Sequence, residues 1–136
     1  MDDAELWSRF ETHSLTQAEW THEAHVRTAF MFLQRHELDE AHVRMRVGII
    51  RMNERHGLVE SGARGYFETL TRVWLVLVAD ARRRTAAQSS LALLAAAPEL
   101  SDRSLPLRHY SRERLAEKRA RAIFLEPDRI ALPSVD

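Results

Sequence analysis

Two imidazoles stand three residues apart in the segment Trp20-Thr21-His22-Glu23-Ala24-His25. On a helix that spacing projects both side chains side by side from one face. The same arc carries Ala18, Ala29, Phe32 and Leu33, while Glu19, Glu23 and Arg27 fall outside it. The pair therefore belongs to the apolar face. A buried imidazole must find a hydrogen-bond partner for each ring nitrogen. It can be satisfied as a core residue, ligate a metal, or carry a proton near neutral pH. Catalytic zinc takes three protein ligands, and non-haem iron takes two His and a carboxylate. Glu23 points away from the arc, so a third ligand would have to come from another element. The expectation is acid/base chemistry by His22 and His25, with no metal assigned.

A second constellation is Gly65-Tyr66-Phe67-Glu68-Thr69-Leu70-Thr71-Arg72. As a helix it places Tyr66, Leu70, Trp74 and Leu77 on one side, with Phe67 and Val78 beside them. Glu68 and Arg72 then stand at i, i+4 on the opposite side, where an ion pair can form. That pair is either a structural salt bridge or an Arg that holds a substrate anion while Glu68 orients it. Asn53 shares an arc with His42, Met45, Ile49 and Met52, and it can equally serve as a capping amide. Tyr110-Ser111 precedes the last helix, with Arg121 inside that helix. The substrate-binding candidates are Asn53, Tyr66, Glu68, Arg72 and Tyr110.

The elements that must position these residues are helical. Only four Gly and four Pro interrupt the chain, and apolar residues recur at helical intervals. Helices are predicted over residues 3–12, 16–35, 39–56, 66–83, 88–97 and 112–124. Thr16 and Glu19 form a capping box at the head of the second, with Leu15 and Trp20 at the staple positions. Gly57 ends the third, and a loop follows over residues 58–64. The fourth is apolar nearly all round between Leu70 and Ala79, which suits a central helix. Ser111 caps the sixth. From about residue 127 the chain is an extended tail. The fold class expected is all-α: one compact bundle of five to six helices in a single domain over residues 1–136.

Composition narrows the classes of function. Twenty basic residues balance twenty acidic ones in 136, which argues against a nucleic-acid binder acting through bulk charge. The run Arg112, Arg114, Lys118, Arg119, Arg121 alternates with Glu113 and Glu117 and reads as a solvated, ion-paired face. There is no cysteine, so thiol nucleophiles and zinc–thiolate sites are excluded. The apolar run Val73 to Ala79 is far short of a membrane span. The first residues show no secretory pattern. The expectation is a soluble cytoplasmic protein with no nucleic-acid or membrane partner. Nineteen of the basic residues are Arg and only Lys118 is Lys. Coding bias explains that as readily as anion recognition does.

Several segments together resemble a family of small, largely uncharacterised bacterial helical proteins. The resemblance runs through the Trp20 to His25 motif, Asn53, and Gly65-Tyr66 with Glu68-Thr69-Leu70-Thr71-Arg72. It continues through Tyr110 to Leu115, Ala120-Arg121 and Glu126-Pro127-Asp128. It implies a helical fold and no established activity. Members usually carry histidine at the position of Phe67, so a three-histidine metal site in the family would lack one ligand here.

Three functions follow as expectations. The first is an enzyme, or enzyme-like binder, with a pocket between the Trp20 and Tyr66 helices. In it one of His22 and His25 moves a proton, Tyr66 and Asn53 donate hydrogen bonds, and Arg72 binds a small anionic ligand. The second is a non-enzymatic accessory or oligomerisation bundle, whose polar residues fix helix register. The third is a His-ligated metal or haem protein. No cofactor is assigned, and homo-oligomerisation is compatible with the sequence.

Overall fold

Asp2 opens the first helix: its carboxylate accepts the Glu5 N–H at 2.8 Å, and α1 spans Asp3–Glu11. Leu6 and Phe10 are its buried stripe. Two turns, at 12–13 and 17–19, then lead to the helix that carries the histidine pair. The computed structural model describes residues 1–135 and is all-helical. The helices are α1, α2 (His22–Arg35), α3 (Leu38–Arg55), α4 (Glu68–Thr85), α5 (Ser90–Ala96) and α6 (Arg112–Ala116). Short 3-10 turns occupy Pro98–Ser101, Leu105–Arg108 and Lys118–Arg121. No helix among the described residues is long and apolar enough to cross a membrane. Asp136, in the expected tail, lies outside the described residues.

The Thr16–Glu19 box forms, but it does not start α2. Glu19 N–H donates to Thr16 Oγ1 at 3.2 Å, and Thr16 N–H donates to Glu19 Oε1 at 2.9 Å. The Arg9 guanidinium grips both Glu19 oxygens at 2.6 Å, so the box closes a turn against α1. Trp20 then packs between Phe10 and His25. Thr21 is extended (φ −84°, ψ 172°) and is the real N-cap, accepting the Ala24 N–H. A second local cap so close by restarts the helix six residues later than predicted.

Two other boundaries also differ from expectation. The fourth helix begins at Glu68, not Tyr66, because Phe67 is extended at its N-cap. The sixth is cut to five residues: Glu117 is extended (φ −61°, ψ 134°), and a 3-10 turn follows. Arg114 and Arg119 both bind the Glu117 carboxylate across that break.

Helix α4 is central, packing against α2, α3 and α5. Val73, Leu75 and Val78 are fully buried with Phe30, Met31, Met52 and Leu93. Phe10 reaches α3 at Gly48, where a β-carbon would overlap its ring. The segment after α6 folds back onto α4. Thr69 Oγ1 donates to the Ile123 carbonyl at 2.9 Å and accepts the Leu125 N–H at 3.1 Å. Ser111 donates from its N–H and its hydroxyl to Asp128. The tail is thus pinned at its root, and Arg129 and Ile130 continue the attachment through His109.

Candidate active site

The N-terminal ends of α2 and α4 meet at a cavity of about 430 Å³. Thr21, His22 and His25 come from α2 and its cap, and Tyr66, Phe67 and Trp74 come from α4 and the residues before it. Met45 and Ile49 of α3 supply apolar wall, while Arg103 and Arg121 reach in from the C-terminal half. The volume lies in the usual range for small-molecule sites, and a mostly apolar lining with few polar groups is their usual composition.

Both imidazoles are only partly buried, and each is fixed by a backbone carbonyl. A carbonyl can only accept, so each contact also fixes the neutral tautomer. His22 donates from Nε2 to the Leu100 carbonyl at 2.8 Å. His25 donates from Nδ1 to the Thr21 carbonyl at 3.0 Å, one helical turn back. His22 Nδ1 and His25 Nε2 have no hydrogen-bond partner among the described residues. The rings are braced by indoles: His22 lies edge-on to Trp74 at 4.5 Å between centroids, and His25 lies 3.9 Å from Trp20.

The two histidines differ in electrostatics. Burial, with His22 and the Arg103 cation nearby, pushes His25 down to about 4 against the Thr21 contact. At neutral pH it is an uncharged hydrogen-bond acceptor. His22 lies within electrostatic range of the Asp102 carboxylate and shares the Leu100 carbonyl contact.

Of the other sequence candidates, only Tyr66 is among the lining residues. Tyr66 lines the cavity, yet its hydroxyl donates to Glu68 Oε1 at 2.6 Å. The ring is wall, and the hydroxyl is not offered to a ligand. Burial, then Glu68, raises its pKa well above the ordinary value. Glu68 does not pair with Arg72. Because α4 starts at Glu68, its side chain turns toward α3, where Arg46 forks onto both oxygens at 3.1 and 2.6 Å and His42 Nε2 donates at 2.9 Å. Burial works to raise the Glu68 pKa, but the bonds from Tyr66, Arg46 and His42 outweigh it and hold the carboxylate low. Arg72 pairs instead with Asp39 at 2.8 Å and donates to His42 Nδ1 at 3.4 Å. Neither Glu68 nor Arg72 lines the cavity; together they form the support behind Tyr66.

Asn53 is buried near the end of α3 and donates to Glu60 Oε1 at 3.3 Å. Glu60 in turn accepts the Tyr66 N–H at 2.7 Å. Asn53 therefore touches the cavity only through two intermediaries. Gly65, at φ +103°, lets the chain turn past the Glu60 carboxylate, which any side chain there would strike. Tyr110 is fully buried in the core, its hydroxyl donating to the Leu125 carbonyl at 2.6 Å. It anchors the C-terminal segment and is absent from the cavity.

No protein-family model, curated protein or solved structure matches this chain. The functional reading accordingly rests on the cavity itself. Among the described residues no three of His, Asp and Glu gather into a group able to hold a metal ion. Phe67 lines the same cavity as His22 and His25, and its phenyl ring offers no ligand atom. This donor set does not fit a three-histidine metal, and no chemistry is derived through one.

The sequence does not mark Arg103 as a site residue, and it places Arg121 in a solvated, ion-paired face. Arg103 has no motif to mark it. Arg121 reaches the cavity because Thr69 ties the following strand of chain to α4, a contact across more than fifty residues.

Proposed function

We propose that the chain is a small-molecule enzyme, or an enzyme-like binder, in which His22 carries the proton. The observation that supports this reading is the pair of tautomer-fixed imidazoles opening onto one apolar cavity, each with its second nitrogen uncommitted. His22 Nδ1 holds a lone pair while Nε2–H is engaged by Leu100. On protonation, the bond to that carbonyl strengthens, and the Asp102 carboxylate offsets the new charge. His25 orients the ligand by accepting a hydrogen bond at Nε2. Tyr66, backed by Glu68 and His42, holds the wall rigid.

A probe for proton abstraction tests the assignment. In 5-nitrobenzisoxazole, removal of the ring C–H proton by a base breaks the N–O bond and releases 2-cyano-4-nitrophenolate, which is read by its absorbance. The native protein should accelerate this reaction. His22→Ala should lose about a hundredfold or more, the range for removing a general base, and His25→Ala should lose less. Equal rates in the native protein and a folded His22→Ala variant would reject the role of His22.

One observation favours a second reading. Both histidines are tied to backbone carbonyls, as register-fixing residues of a non-enzymatic bundle would be. On that reading His22→Ala and His25→Ala lower the melting temperature and leave the probe reaction unchanged.

A further inference from the structure

About half of the arginines meet a carboxylate among the described residues. Arg9 pairs with Glu19, Arg27 with Asp3, Arg46 with Glu68, Arg72 with Asp39 and Arg114 with Glu117. The two arginines that line the cavity belong to the other half. Neither Arg103 nor Arg121 meets a carboxylate among the described residues, and none of the cavity-lining residues is acidic.

Each guanidinium is held in place by something other than an acid. Arg121 donates one N–H to the Gly65 carbonyl at 3.3 Å and lies 4.5 Å over the Phe67 ring. This leaves most of its donor fork unused. Arg103 follows Asp102 in a tight turn. One Asp102 oxygen, Oδ1, accepts the N–H and the hydroxyl of Ser104, at 2.9 and 2.7 Å. That acid, the nearest in sequence to Arg103, makes no ion pair with it among the described residues.

Two further features have the same sign. Thr21 and Phe67, the N-caps of α2 and α4, both line the cavity. The positive ends of two helix dipoles thus lie at it. The lining includes three aromatic side chains, Trp20, Phe67 and Trp74. A planar guanidinium fork suits the two oxygens of a carboxylate. There is no glycine-rich loop or lysine here to cradle a phosphate chain.

We propose that the cavity takes a small aromatic carboxylate, its anionic oxygens bound by Arg103 and Arg121 and its ring set against Trp20, Phe67 and Trp74. This inference rests on the reading of the cavity as a ligand site and adds the class of ligand. It also moves the anion-binding role from Arg72, which is committed to Asp39, to a pair further along the chain.

A matched pair of probes tests it. 2-Naphthoate and 2-naphthamide share ring and shape and differ in charge. By titration calorimetry, 2-naphthoate should bind at least about tenfold more tightly, the size expected for hydrogen bonds to a charged group. Arg103→Gln and Arg121→Gln should each lower naphthoate affinity about tenfold and change naphthamide affinity less than about twofold. Arg103 makes no hydrogen bond or ion pair among the described residues, so Arg103→Gln tests the proposal without disturbing the fold. Equal affinity for the two probes, or naphthoate binding unchanged in Arg103→Gln, would overturn the anion assignment and leave the ligand site standing. Failure of both probes to bind would remove the ligand site and this inference with it. Loss of the His22-dependent proton abstraction alone would remove only the catalytic role.

Discussion

At the scale of single residues, His25 makes a claim that pH can test. The folded protein binds a proton on His25 far more weakly than the unfolded chain does, with the value moved from 6.5 to about 4. Stability from this group is therefore complete above the unfolded value. It is lost progressively as pH falls from 6.5 toward 4, and no further below that. Between about pH 7 and about pH 5 the loss should be roughly 1–2 kcal/mol. Urea denaturation of the native protein and of His25→Gln at both pH values checks this. The native protein should lose that much more stability than the variant, and parallel losses would show that His25 titrates normally. Glu68 acts in the opposite sense to a simple buried acid. Its carboxylate is held low by Tyr66, Arg46 and His42, so Glu68→Gln weakens all three contacts together. Loosening Tyr66 should raise the dissociation constant for a neutral cavity probe such as 2-naphthamide. An unchanged constant would mean that Tyr66 needs no support from behind.

At the scale of elements, caps decide where the cavity opens. Thr21, not Thr16, stands at the head of α2, so Thr21→Ala should cost about 0.5–2 kcal/mol and loosen the first turn that carries His22 and His25. Thr16→Ala should cost less, because Arg9 still grips Glu19; thermal denaturation of both variants ranks them. Gly48 has a different role. Helix propensity alone favours Ala there by about 1 kcal/mol, but the Phe10 ring occupies the space. Gly48→Ala should therefore destabilise by about 1–3 kcal/mol, as overpacking does, and a gain in melting temperature would refute the contact. What the sequence revealed at this scale follows from what is local. Helical periodicity and the Ser111 and Gly57 signals depend on near neighbours, and α6 starts after Ser111 and α3 stops before Gly57 as expected, although α6 ends early at Ala116. The start of α2 depends on which of two adjacent caps wins, and Arg9 in another helix influences that choice. The Glu68–Arg72 pairing presumed that Tyr66 lies inside the helix. One extended residue, Phe67, rotates the frame and sends Glu68 to His42 and Arg46. The candidate site divides in the same way. The His pair is a local motif and its face is legible, whereas Arg103 and Arg121 arrive by tertiary contacts that no short spacing encodes.

At the scale of the whole molecule, α4 joins the cavity to the core. Its buried stripe makes Leu75→Ala cost about 2–5 kcal/mol, measured by chemical denaturation. Tyr110→Phe leaves the Leu125 carbonyl buried without its partner and should cost about 1–3 kcal/mol. Because that segment also carries the chain that presents Arg121, the same variant should weaken 2-naphthoate binding more than 2-naphthamide binding. The loop between α3 and α4 has a separate consequence. Val59 through Arg64 is exposed, and its ties to the body run through Glu60. Exposed loop tips are where proteases cut, and Arg64 offers trypsin its residue there. A single cut at that point would put α1, α2 and α3 on one fragment and α4 onward on another, with His22 and His25 on the first and Arg103 and Arg121 on the second. The cavity would then be a junction between two molecules. Its occupancy would fall on dilution, which the intact chain does not feel, and each fragment could be titrated back against the other as a two-component assay of the site.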